Sequence, residues 1–162
     1  MVGYMVIKLA YVFLACGRDF GMKISTRGRY ALRLMMDIAL AESDSPVRVK
    51  DIAKRQELSE KYLEQIVSVL NKAGLVRSSR GPLGGYRLVR APEEYTAGEI
   101  VSSIEGGFAP VACMESETNE CPRHQSCATL RLWEKLDEAI RSVMESVTLA
   151  DLVKWHQELE AK

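Results

Sequence analysis

The sequence predicts a mainly α-helical chain with one small β-hairpin, and three observations carry that reading. Apolar residues recur at helical spacing through 26–42, 60–73 and 130–147. One stretch only, 75–89, reads as two short strands, divided by Gly81, Pro82, Gly84 and Gly85. Capping and breaking residues stand between these segments, so the helices are separate rather than one long rod.

The elements follow in order. Tyr30, Leu34 and Ile38, with Ala31, Met35 and Ala39, give the first helix one apolar face. The run Ser43, Asp44, Ser45, Pro46 ends it. A short helix over Val49–Gln56 is followed by a tight connection at Glu57 and Leu58. Ser59 is the expected N-cap of the third helix, its hydroxyl accepting a first-turn N–H. In that helix Tyr62, Leu63, Ile66, Val67 and Leu70 form one face, and Lys61, Glu64, Gln65, Ser68 and Lys72 form the other. Gly74 supplies a left-handed stop.

The hairpin carries Arg77, Arg80, Arg87 and Arg90, with Arg80 and Gly81 at its tip. Thr96 and Glu99 form an expected capping box for a helix reaching Glu105, closed by Gly106 and Gly107. Residues 108–126 show no periodicity. From Leu130 a stripe of Trp133, Leu136, Ile140, Val143 and Val147 predicts a five-turn helix, and Thr148 caps a last one over 149–159.

Charge divides the chain. Its net charge is zero, but residues 22–90 hold 14 Lys and Arg against 7 Asp and Glu, and residues 91–162 hold 6 against 14. A basic module suited to a polyanion is therefore joined to an acidic one with another task. Helix, short helix, tight connection, helix and two-stranded wing is the order of a winged helix-turn-helix. The third helix fits a major groove: one face anchors it, while Lys61, Glu64, Gln65 and Ser68 are free to read base edges. Arg80, beside glycines that permit close approach, is placed to enter a minor groove. Lys23, Arg27, Arg29 and Arg33 are candidate phosphate contacts.

The first 21 residues carry a short apolar run, Val6 to Cys16, interrupted by Lys8. It is too short to span a bilayer and too irregular for a signal peptide, despite a faint likeness of Phe13 to Cys16 to a lipoprotein box. Met22 reads as a natural start, with 1–21 an extension. A division into 1–21, a DNA-binding domain at 22–91, a connecting helix at 92–107, a cysteine loop at 108–127 and a dimerisation region at 128–162 is expected, in a cytoplasmic protein. No catalytic set accompanies these features, and an enzyme is not expected.

Three of four cysteines, Cys113, Cys121 and Cys127, lie within 15 residues. Clustered thiols in a chain of cytosolic character suit soft metals. The gaps of seven and five residues are wider than ferredoxin spacings and lack the paired C-x2-C of zinc ribbons. An iron–sulfur cluster, zinc, and thiols acting alone all remain open on spacing. His124, between the second and third cysteines, is the first candidate for a fourth ligand; Glu115, Glu117, Glu120, a small molecule and a ligand from the other subunit are others.

The stretches MKISTRGRYALRLMMDIAL, LSEKYLEQIVSVLNKAGLVRSSRGPLGGYRL and TAGEIVSSIEG resemble the bacterial regulator family that includes IscR, NsrR, RirA and CymR. The resemblance spans residues 22–150 and is most specific in YLEQ and RGPLGGY. It implies a homodimeric transcription factor with a winged helix and a long dimerisation helix, and two-fold pairing would present two recognition helices to a palindromic duplex operator. Tyr62, Gln65 and Arg80 would lie at the DNA, with Arg29, Tyr30, Ser59, Lys61, Glu64, Ser68 and Gly81 around them. The glutamate matching Glu64 is proposed in this family to choose between two classes of site. Cluster-bearing members place three cysteines just before the dimer helix, which implies a 2Fe–2S or 4Fe–4S cluster on Cys113, Cys121 and Cys127. The departures are specific: Leu130 stands where some members have a ligating histidine, and Arg29 where others have a ligating acid. Dimer contacts would come from Leu130, Trp133, Leu136, Ile140 and Val143. Two other functions compete: a CymR-like regulator governed by a partner protein without a cluster, and an iron–sulfur electron carrier.

Overall fold

Among the described residues, six α-helices and a two-stranded hairpin are formed. The computed structural model describes residues 24–162 except 42–44, 82–83 and 117. The expectations for 1–21, Cys16, Lys23 and Glu117 lie outside these residues.

Helix α1, Thr26–Leu40, starts at Ser25, whose hydroxyl accepts from the Arg27 and Gly28 amides. Its inward face buries Ala31, Leu34, Met35 and Ile38. Helix α2, Val49–Gln56, ends at Glu57, the one non-glycine residue with positive φ (53°) among the described residues. Leu58 N–H then bonds back to Ala53 O at 2.9 Å, which closes the tight connection. Helix α3, Glu60–Lys72, buries Leu63, Ile66, Val67 and Leu70. It stops as the sequence predicts: Gly74 has φ +74°, and the Leu75 amide returns to Leu70 O at 3.0 Å.

The wing is β1, Val76–Ser79, antiparallel to β2, Gly85–Leu88, with Val76 opposite Leu88 and Arg77 opposite Arg87. Val47 adds an unforeseen one-residue bridge to β2, exchanging two 2.8 Å backbone bonds with Tyr86. That bridge is why position 85 is glycine: a Cβ there would lie 2.5 Å from Val47 O.

The core does not stop at residue 91. Helix α4, Ala97–Glu105, lies against α1 and contributes Ile100 and Val101 with no exposed surface. Tyr95 is wholly buried, and its hydroxyl donates to Leu75 O and accepts from the Val89 and Arg90 amides. It therefore pins the end of α3 to the exit of the wing.

Helix α5, Leu130–Ser146, crosses α4 where Gly98 leaves room, since a Cβ there would be 3.1 Å from Met144 O. Helix α6, Leu149–Glu160, folds back on α1, held by Leu149 N–H to Tyr95 O and by a Thr148–Asp151 capping box.

Two expected caps differ. Ser59 occupies the N-cap of α3, but its hydroxyl makes no cap bond. The Tyr62 and Leu63 amides both bond to the Ser59 carbonyl instead, leaving the hydroxyl exposed. Thr96 caps α4 through the Glu99 amide at 3.0 Å. The Glu99 side chain does not complete the box, because the Arg90 guanidinium takes its carboxylate.

Candidate nucleic-acid interface and cysteine loop

The burial of one face of α3 determines what its other face can do. With Leu63, Ile66, Val67 and Leu70 locked into the core, Lys61, Glu64, Gln65, Ser68 and Lys72 are all exposed. Helix propagation alone fixes this placement, so the side chains that the sequence puts on the polar face of α3 are exposed together. Tyr62 sits at its edge, half-buried, with its ring edge-on to Tyr30 at 5.9 Å.

Two charged groups behind α3 join α1 to α2. Asp37 is 5% exposed, accepts from Arg55 Nε at 3.1 and 3.2 Å, and accepts from Gln56 Nε2 at 2.9 Å. Arg33 donates to the Gln56 side chain and backbone at 2.8 and 2.9 Å and lies over the Tyr30 ring. Arg33 thus helps set the α1–α2 joint, whereas the sequence placed it among the phosphate contacts. Arg29 keeps an exposed side chain, tethered only to Thr26 Oγ1 at 3.2 Å. Arg27 is exposed as well.

At the wing tip Arg80 and Gly81 are exposed, and Gly81 has φ +109°. The Gly84 amide bonds to Gly81 O at 2.9 Å. A Cβ on Gly84 would stand 2.5 Å from Ser79 O, so the turn closes only without one.

The cysteine loop follows Gly106 and Gly107 and contains two single turns, Ala112–Met114 and His124–Ser126. Cys113, Cys121 and Cys127 are half-buried thiols outside any disulfide. Among the described residues no three His, Cys, Asp or Glu side chains are gathered to hold a metal. The donor chemistry nevertheless fits a thiophilic centre: three free thiols and an imidazole lie within one loop. His124 Nδ1 is 2.9 Å from Cys121 O, which as a carbonyl can only accept. That bond leaves Nε2 as the nitrogen able to ligate. The Thr129 hydroxyl, 3.2 Å from Cys127 Sγ, and then the Leu130 amide hold the Cys127 thiol below the usual range.

Comparison with known proteins places this geometry. Residues 24–155 match the family model described as Rrf2, iron-dependent transcriptional regulator. The chain belongs to the Rrf2 family. It is 43% identical over 133 residues to protein rrf2 of Nitratidesulfovibrio vulgaris, covering 82% of this chain and 88% of that one. The solved structure of CymR, the global cysteine regulator of B. subtilis, superposes with a TM-score of 0.69 at 41% identity. That match covers 82% of this chain and 97% of CymR. The T. potens IscR structure gives a TM-score of 0.68 at 40% identity, over 85% of this chain and 90% of that one. As an Rrf2-type winged-helix protein, the chain is a DNA-binding transcriptional regulator, not an enzyme. Among the described residues no helix is long and apolar enough to cross a membrane.

The sequence did not single out Tyr95, Gly28 or Asp37. Each acts through backbone or buried partners remote in sequence. Only Gly28, a glycine inside a helix, carried a local sign that something approaches closely.

Proposed function

We propose that the protein acts as a homodimer on a palindromic duplex operator and adjusts its DNA affinity through an iron–sulfur cluster on Cys113, Cys121 and Cys127. One observation carries the DNA reading: Lys61, Glu64, Gln65 and Ser68 stand free on a helix whose opposite face is core, with Arg80 exposed at the wing tip. Gln65 suits an adenine edge, and Glu64 a cytosine amino group. Tyr62, braced by Tyr30, lines the groove wall. The free Ser59 hydroxyl, Lys61 and Arg29 take backbone phosphates, and Arg80 with Gly81 enters the minor groove.

Helix α5 supports the dimer. It has no buried residue; Leu130, Trp133, Leu136 and Ile140 are half-covered, and Val143 is 62% exposed. An apolar stripe of this length suits an equivalent helix of a second copy. Two-fold pairing would set two α3 helices on half-sites about one helical turn, roughly 34 Å, apart.

His124 is the first candidate to complete the ligand set. When bound, the cluster would supply an iron- and redox-sensitive cross-link of the loop. Closing residues 108–127 fixes the path from Gly107 to Leu130, and with it the angle between α4 and α5. Because α4 packs on α1 and α5 pairs with the partner, that angle sets the spacing of the two reading faces.

Fluorescence anisotropy with a labelled operator tests the reading. Gln65→Ala should cost about 1–3 kcal/mol on the preferred base and relax specificity there. Arg80→Ala should weaken binding and flatten its salt dependence. If replacing all three cysteines by Ala leaves DNA affinity unchanged under every iron and redox condition, the sensing role is lost. A second reading, control by a partner protein without a cluster, rests on the likeness to CymR, 41% identical over 82% of this chain. Visible absorbance, iron and sulfide content of anaerobically purified protein separate the two.

A further inference from the structure

A cleft of about 400 Å³ opens between the C-terminal end of α1 and the base of the wing. Ile38, Ala39 and Pro92 form an apolar wall, and Arg77, Arg87 and Arg90 supply the cations. Among its described lining residues there is no carboxylate.

The three arginines are not equivalent. Arg90 is committed: it pairs with Glu99, donates to Glu94 O and lies 4.4 Å from the centre of the Tyr95 ring. Its charge is matched and its stem is a fixed wall. Arg77 and Arg87 are exposed, and their side chains make no hydrogen bond or ion pair among the described residues. They stand directly opposite each other in the β1–β2 ladder. Like charges at opposed ladder positions repel, with Cβ atoms only about 5 Å apart. A shared counter-ion would convert this repulsion into two charge-assisted grips, for which guanidinium forks suit phosphate or carboxylate.

We propose that this cleft binds a small organic anion, a phosphate or carboxylate with a compact apolar body, and is an effector site separate from the DNA face and the cysteine loop. The head group lies between Arg77 and Arg87, and the body against Ile38, Ala39 and Pro92. The apolar wall distinguishes this ligand from a DNA backbone phosphate, which has no such body to place. The cleft's volume is in the usual range for small-molecule sites, roughly 300–1,000 Å³. Because Val47, bonded to Tyr86, also lines it, occupancy would tie the base of the wing to the end of α1.

The test uses the full chain without DNA, titrated at constant ionic strength with inorganic phosphate and with phenyl phosphate, followed by amide NMR shifts. Phenyl phosphate should bind saturably and more tightly than phosphate, moving the Ala39, Val47 and Val89 amides. Arg77→Gln/Arg87→Gln, which removes exposed and mutually repelling charges and should fold normally, should weaken it about tenfold or more, as loss of charged hydrogen bonds requires. Arg80→Gln should change nothing. The proposal is overturned if phosphate and phenyl phosphate bind alike, or if Arg80→Gln weakens binding as much as the double variant. It is also overturned if the double variant leaves phenyl phosphate binding unaffected, or if the unaltered chain shows none.

Discussion

Glu105 Oε1 occupies the space where a side chain on Gly28 would begin: an ideal Cβ there would lie 2.5 Å away. The carboxylate accepts from the Gly28 amide at 3.1 Å and from the Ser25 hydroxyl. The last residue of α4 thus caps the first turn of α1, where an acid complements the helix dipole. Arg27 and Arg29 leave from that same turn, and the cysteine loop starts three residues after Glu105.

A methyl at position 28 should expel Glu105. Gly28→Ala is expected to destabilise the protein by about 1–2 kcal/mol, the worth of the lost charged hydrogen bonds, despite alanine's better helix propensity. In a Glu105→Ser background the same change should cost little. Urea denaturation of the four proteins measures this coupling, and equal costs in both backgrounds would disprove it.

The Tyr95 hydroxyl makes three hydrogen bonds inside the core. Tyr95→Phe leaves the Leu75 carbonyl and the Val89 and Arg90 amides without their partner. A loss of about 2–3 kcal/mol is expected, because buried unsatisfied groups cost more than a hydrogen bond contributes. A change below half a kcal/mol would show that water replaces the hydroxyl.

Glu57 holds a left-handed backbone in the turn between α2 and α3. A non-glycine residue pays about 1–2 kcal/mol for this conformation, partly offset by glycine's greater unfolded entropy. Glu57→Gly should therefore raise stability by roughly half to one kcal/mol. A lower melting temperature would mean that the Glu57 side chain makes a contribution its backbone conceals.

Acid should loosen the start of α6. Bonds from the Thr148 hydroxyl and amide hold the Asp151 carboxyl below the ordinary carboxylate range. A depressed folded-state value means the stabilisation is present above the unfolded pKa and disappears as pH falls through the folded one. Asp151→Asn should melt lower than wild type near neutral pH, and the gap should close in acid. A gap independent of pH would assign the loss to packing.

In reduced, metal-free protein Cys127 should react with iodoacetamide faster at neutral pH than the same thiol in Thr129→Val. The Thr129 hydroxyl is the first cause of its lowered pKa, and the thiolate is the reacting form. Peptide mapping of partial alkylation reads the ratio.

The sequence by itself determined the local elements and which side chains share the exposed face of α3. Periodicity of 3.6 puts Lys61, Glu64, Gln65 and Ser68 on one side of α3 as soon as Leu63, Ile66, Val67 and Leu70 are apolar, and Gly74 can end it whatever surrounds it. Glycines at 81, 84 and 85 announced a tight wing for equally local reasons. Tertiary structure decided the matters in which partners are far apart in the chain or compete for one group. It gave Glu99 to Arg90 rather than to Thr96, committed Arg33 to Gln56, added Val47 to the wing, and closed three bonds on Tyr95. It also left Arg77 and Arg87 opposite each other in the ladder with no ion pair among the described residues. Local pattern records what a residue prefers; which donor reaches a given acceptor first depends on how helices cross, and only the packed chain specifies that.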